Sequence, residues 1–206
     1  MQPADFSLLR WLGWRSRLLT LLALALALGS PGPMHAAGSG SGFRVTSPVL
    51  AEGGVFRLEQ VYNGSGCHGK NASPELHWTT PSKAAQGFAV TMFDPDAGGG
   101  HGWWHWVIFN LPPQTRTLAA GAGTAGSRES STPGIRQARN DFGDVGYSGP
   151  CPPQGDRAHR YVITVYALDV PALGNGQSTT PEAAAVAAQL ERHALAKATL
   201  TAKFGR

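Results

Sequence analysis

Apolar residues in this chain fall into short runs separated by clusters of glycine, proline and aspartate. Phe88 to Phe93, Trp104 to Phe109 and Tyr161 to Leu168 are each mostly apolar. Val55 to Tyr62 alternates, with Phe56, Leu58 and Tyr62 on one side and Arg57 and Glu59 on the other. Runs of this length, bounded by turn-forming residues, predict β-strands in a sandwich-like or mixed sheet. Between them lie two stretches rich in glycine and proline, Pro112 to Gly134 and Gly143 to Asp156. Loops that long are more often functional or partly ordered than idle. No internal repeat is visible. After Pro181 the period changes. Leu190, Ala194, Leu195 and Ala198 stand at helical spacing in an alanine-rich segment. Thr180 suits an N-cap, Pro181 the first helical position and Glu182 the helix dipole, while Gly205 can end the helix. The pattern predicts one helix from Pro181 to near Phe204, packed on the sheet.

The N-terminal segment has a different character. Arg10, Arg15 and Arg17 precede an uncharged run from Leu18 to Leu28, which Gly29 to Pro33 break before Met34-His35-Ala36-Ala37. A basic region, a short apolar region and a small-residue site make a secretory signal over residues 1–37, cleaved after Ala36 or Ala37. The apolar run is short for a bilayer span, which needs about 20 residues. An uncleaved anchor is the alternative. Residues 38–42 read as a flexible leader, and residues 43–206 as one domain with a full core.

Charge and cysteines sharpen this picture. Without residues 1–37, Lys plus Arg falls from 17 to 14 and Asp plus Glu from 13 to 12, so the net charge drops from +4 to +2. No basic run is dense enough to suggest nucleic acid. Cys67 and Cys151 both lie beyond the signal. An oxidising compartment permits a disulfide between them, with two free thiols or a weak metal contribution as the alternatives.

Candidate chemistry gathers at the mouths of the apolar runs. Asp94-Pro95-Asp96 precedes Gly102-Trp103-Trp104-His105, and Gly149-Pro150-Cys151-Pro152-Pro153 precedes His159-Arg160-Tyr161. Charge is costly in a core unless it is paired, so such strand ends suggest a pocket. His105, His159 and Tyr161 can donate to an oxyanion, and both histidines can become cationic near neutral pH. Asp94 has the wrong sign to hold an anion. It can accept from a histidine, fixing its tautomer, or from an ammonium head group. Of Trp103 and Trp104, strand alternation buries one and leaves the other to wall the pocket. Arg160 reads as a surface ion-pair partner, and His193 as a solvated or capping residue of the C-terminal helix.

Together these motifs resemble the phosphatidylethanolamine-binding protein family, and most closely its bacterial, Raf-kinase-inhibitor-like branch. Asn71 to Trp78 and Arg139 to Gly143 resemble that branch too, and the similarity runs from about Phe43 to Arg206. The resemblance implies a mainly β fold: a sandwich of a large antiparallel sheet and a smaller sheet, with peripheral helices and a C-terminal helix. It also implies a small anion pocket at one end of the main sheet. By position, Asp94, His105, His159 and Tyr161 match the polar pocket residues, and Trp103, Pro152 and Pro153 its rim and wall. One departure is Gly98, where the family usually has proline.

Enzyme readings fare less well. His101 and His105 would share a helical face as metal ligands, but the surrounding residues favour a strand. Gly146-Tyr147-Ser148-Gly149 is a partial nucleophile elbow that lacks the final glycine and a following helix. The sequence therefore points to an exported, non-enzymatic protein that requires no cofactor or metal. Its expected partner is a phosphate-containing small molecule or a phospholipid head group. The alternative is an interaction or inhibitor module that recognises phosphorylated or acidic groups on a protein; a weak hydrolase or metal-dependent enzyme ranks third. The mature chain is expected to lack a transmembrane segment and to be periplasmic or secreted. N-terminal sequencing of the exported protein should begin near Ala37 or Gly38, and a protein retained in the cytosol with Met1 intact would contradict the signal.

Overall fold

Both faces of the central sheet are covered, which is why its strands read as nearly continuous apolar runs. A computed structural model describes residues 42–81, 85–124, 126–174 and 179–206. The signal and most of the leader lie outside the described residues. In chain order the elements are β1 (Val45–Thr46), β2 (Asn63–Gly64), β3 (Cys67–His68), β4 (Leu76–Trp78), β5 (Gly87–Asp94), β6 (Trp103–Leu111) and β7 (Thr117–Leu118). They continue with α1 (Arg128–Ser131), β8 (Arg136–Gln137), β9 (His159–Leu168), α2 (Ala183–His193) and β10 (Ala194–Phe204). The large sheet is antiparallel, in the order β10-β9-β5-β6-β8, beside a three-stranded sheet β1-β4-β7 and a β2-β3 pair.

Alternation divides the sheet between two cores. Phe88, Val90 and Met92 of β5 and Ile163, Val165 and Ala167 of β9 pack with Val45, Leu76, Trp78 and Leu118 of the small sheet. Ala89, Val107, Phe109, Tyr166 and Leu168 face the other way, onto Ala183, Val186 and Leu190 of α2. The predicted β fold with a large and a small sheet is thus the observed one.

Two expectations need correction. The C-terminal segment is helical only to His193. Ala194 turns extended, and β10 pairs with β9 from Ala194↔Leu168 to Phe204↔His159. Alanine content favours a helix on propensity alone, and Ala198 fits a helical stripe by chance. The deciding pattern has period two: Ala198, Leu200 and Ala202 are buried while Lys197, Thr199 and Lys203 are exposed. The partnerless edge of β9 makes a strand the better solution there. The second correction concerns Val55 to Tyr62, which forms turns rather than a strand. Lys70, Asn71 and Ala72 donate backbone N–H groups to Leu58, Val61 and Glu59. Phe56 is buried against Tyr161, but Leu58 is 64% exposed.

Cys67 and Cys151 are bonded, with Cα atoms 6.0 Å apart and a separation of 84 positions in sequence. The bond ties β3 to the proline-rich loop before β9. A crosslink of this span restricts the unfolded chain strongly, by about 2–5 kcal/mol in typical cases. Alkylation of the denatured, unreduced protein should therefore label no thiol. Replacing both cysteines with serine should lower the unfolding free energy by about 2–5 kcal/mol in denaturant titration.

Candidate functional site: a polar pocket at the end of the main sheet

A register break in the large sheet builds the site. Met92 pairs with Trp106, but Phe93 pairs with Trp104 and Asp94 with Trp103. One residue of β5 thus spans two of β6, and His105 is the bulged residue. Bulges re-aim side chains and recur beside functional sites. Here the bulge puts Trp103 on the same face as Asp94 and sends Trp104 to the opposite face, where it packs near the α2 core. Both tryptophans stay half-buried, so simple alternation does not hold at this point.

Asp94, His105, His159, Tyr161, Trp103, Pro152 and Pro153 all line one pocket of about 250 Å³. Phe142, Ser65, Ala97, Gly98 and Cys151 complete its wall. Asp94 is buried, and three hydrogen bonds occupy most of its accepting capacity. Its Oδ1 accepts the N–H groups of Asp96 (2.8 Å) and Ala97 (3.2 Å), and its Oδ2 accepts from Nδ1 of His159 at 2.8 Å. The carboxylate therefore sets the loop after β5 and orients the histidine. Nε2 of His159 lies 3.6 Å from Asp156.

His105 behaves differently from the expectation of two cationic histidines. Its Nδ1 lies 2.7 Å from the carbonyl of Ser148, which can only accept, so this nitrogen carries the ring proton. Burial holds its pKa down to about 4, against the opposing pull of the Ser148 carbonyl and the charges of Asp94 and Asp141. The ring is neutral near pH 7. Burial, followed by the charge of Asp94, raises the Tyr161 pKa, so its phenol keeps its proton. Its buried hydroxyl makes no hydrogen bond of good geometry, although the Asp94 side chain is near enough to act on it, and the buried indole nitrogen of Trp103 has no partner.

The surrounding loops are held by polar contacts. Asn140, buried, donates to Ser148 Oγ (2.9 Å), the Gly146 carbonyl and the His105 carbonyl, and accepts from the N–H groups of Phe142 and Asp144. Asp141 Oδ2 accepts the Trp104 N–H at 2.7 Å. This brings Phe142 edge-on to Trp103 and His105. Phe142 was missed as a pocket residue, although the Arg139–Gly143 motif contains it. Ser148 donates its hydroxyl to Asp144 and is no candidate nucleophile in this arrangement.

Other singled-out residues lie outside the pocket wall. Arg160 and Arg157 pair with Asp96 at 2.9 Å, the exposed ion-pair role expected for Arg160. His193 bonds Asp169 at 2.9 Å. His101 is exposed on a turn, and no group of three or more His, Cys, Asp or Glu among the described residues could hold a metal. Gly98 has φ +60°, a conformation closed to the proline expected of the family. A larger groove of about 590 Å³ runs along β1 and β10, but Glu52 and Lys197 on its walls already have partners.

The two sheets and this pocket define a small-pocket β-sandwich. Residues 46–205 match the family model described as phosphatidylethanolamine-binding protein, and the chain belongs to that family. It is 40% identical over 161 residues to UPF0098 protein YbhB of Escherichia coli, covering 78% of this chain and 99% of YbhB. The crystal structure of E. coli YbcL, described as a member of the mammalian PEBP family, superimposes with a TM-score of 0.73 at 36% identity, covering 80% of this chain and 99% of YbcL. CT736 from Chlamydia trachomatis gives 0.64 at 27% identity, covering 81% and 99%.

The depressed His105 pKa has a sign that can be tested. Between pH 6.5 and about 4 the unfolded chain takes up a proton that the folded state refuses, so stability falls as pH falls through that window. The loss is on the order of 3 kcal/mol. Denaturant titrations should show this acid slope flattened in His105→Gln, and the His105 ring proton signals of the wild type should not titrate between pH 8 and 5.5.

Proposed function

We propose that this protein is a non-enzymatic, exported binding protein whose pocket captures a small oxyanion, namely phosphate or the phosphate head group of a small molecule or lipid. One observation carries the reading: the Tyr161 hydroxyl and the Trp103 indole N–H are buried, unpartnered donors on the wall of a single pocket. Leaving such a donor unsatisfied costs about 1–3 kcal/mol, so buried polar groups without partners call for an explanation. An oxyanion supplies the acceptors both groups lack. His159, locked by Asp94, adds a third donor when protonated.

The way the reactive groups are spent supports binding over catalysis. Both Asp94 oxygens are engaged, Ser148 is tied to Asp144, and neither histidine is hydrogen-bonded to a hydroxyl nucleophile among the described residues. Export rests on the basic, apolar and small-residue order of residues 1–37 and agrees with the disulfide. Among the described residues no helix is long and apolar enough to cross a membrane. A second reading, capture of a phosphorylated or acidic side chain on a partner protein, draws on the exposed guanidinium groups of Arg157 and Arg160 beside the pocket loop.

Calorimetry with inorganic phosphate and phosphoethanolamine tests the site. His159→Ala and Tyr161→Phe should each weaken binding tenfold or more, since a charge-assisted hydrogen bond contributes about 1.5–3 kcal/mol. Tyr161→Phe should also leave the unliganded protein no less stable, because the hydroxyl it removes has no partner. Folded variants that bind as well as the wild type would show that the site lies elsewhere.

A further inference from the structure

The donors of the pocket explain why an oxyanion binds; its acceptors say which kind. Nδ1 of His105 carries the ring proton because it faces the Ser148 carbonyl at 2.7 Å. The ring edge left to the pocket therefore bears Nε2 with a bare lone pair. That ring is buried, and the ionisable groups that share its pocket or act on it are Asp94 on β5, Tyr161 and His159 on β9, and Asp141 on the loop before β9. Asp94 is a second acceptor, its carboxylate oriented by the N–H groups of Asp96 and Ala97 and by His159. A ligand here meets donors from Tyr161 and Trp103 and acceptors from His105 and Asp94.

Building on the anion-binding reading, we propose that the pocket selects oxyanions that carry a proton: phosphate or a phosphate monoester with a P–OH group, in preference to sulfate and phosphodiesters. Sulfate and a diester offer only acceptors near neutral pH. Either one would set its lone pairs against Nε2 of His105 and the carboxylate of Asp94, with no hydrogen between them. A P–OH group donates to one of these acceptors while its other oxygens take the Tyr161 and Trp103 hydrogens. Sites built to bond a ligand hydroxyl reject analogues that lack it far more strongly than apolar pockets reject a missing methylene. The phosphate of an intact glycerophospholipid is a diester, so this preference points to a phosphomonoester as the natural ligand.

The test is calorimetry on the exported protein at pH 6.0 with four probes: inorganic phosphate, methyl phosphate, dimethyl phosphate and sulfate. The first two should bind, and sulfate and dimethyl phosphate should be at least a hundredfold weaker. Sulfate is the deciding arm because it matches phosphate in size and shape. From pH 6 to 8 methyl phosphate loses its remaining proton, since the second pKa of a phosphate monoester is about 6, whereas inorganic phosphate keeps one. The affinity of methyl phosphate relative to phosphate should therefore fall at least tenfold. The other ionisable groups beside the pocket, His159, Asp94, Asp141 and Asp156, meet both probes alike, so their influence largely cancels in that ratio. His105→Gln, which can turn an amide N–H to the pocket, should narrow the gap between phosphate and sulfate. Sulfate binding as tightly as phosphate would overturn the selectivity and leave the anion site intact. A folded protein that binds none of the four would end both readings.

Discussion

The bulge at His105 is the constraint on which the site depends. With an unbroken ladder, Trp103 would lie on the same face as His105, Val107 and Phe109, toward α2, and Asp94 would face a different residue. One extra residue changes the parity of everything before it in β6. Trp103 then stands opposite Asp94, and the His105 ring turns edge-on to Tyr161 at 5.1 Å. Three strands thus deliver their ends to one small volume, while Trp106 and Ile108, one step beyond the bulge, remain in the apolar core.

A bulged residue needs support, because it leaves the ladder locally unpaired. Asn140, Asp141 and Ser148 provide it from outside the sheet. Asn140 and the Ser148 N–H both donate to the His105 carbonyl, the Ser148 carbonyl takes the ring Nδ1, and Asp141 exchanges hydrogen bonds with Trp104 through main chain and side chain. The 139–148 segment therefore acts as a second partner for the start of β6. The disulfide and Arg206 hold the opposite wall. The guanidinium group of Arg206 bonds the carbonyls of Ser65, Gly66 and Pro152, spanning both chains that the Cys67–Cys151 bond joins. A pocket built from loops is rigid only when such cross-ties exist, and here they come from the main chain as much as from side chains.

Much of this was legible in the sequence, for physical reasons. The runs at residues 88–93, 104–109 and 161–168 are apolar because both sheet faces are covered, and they became β5, β6 and β9. Polar residues at their mouths had to be either paired or functional, which singled out Asp94, His105, His159 and Tyr161. The tail was misread because alanine serves both helix and buried strand, and only the lysine and threonine alternation after Ala194 reveals the strand. Val55 to Tyr62 showed alternation without forming a ladder, since its backbone carbonyls found partners in residues 70–72. The protonation state of His105 was not legible at all. It follows from a carbonyl more than forty residues away and from complete burial, neither of which local pattern encodes.

Two carboxylates two residues apart show how the fold divides its charges. Asp96 turns outward to Arg157 and Arg160, whose hydrogen bonds and charges hold its pKa well below the usual carboxylate range. Asp94 turns inward and spends its charge on backbone N–H groups and on His159. The outer pair anchors the start of β9 to the loop after β5; the inner pair orients the donor at the pocket. A lone carboxylate in an anion site would repel its ligand, but one already bonded to three hydrogens repels less while keeping one lone pair that can accept from a ligand hydroxyl. On the proposed reading, a neutral His105 and a negative Asp94 cost the pocket some affinity for an anion and give it the means to tell one oxyanion from another.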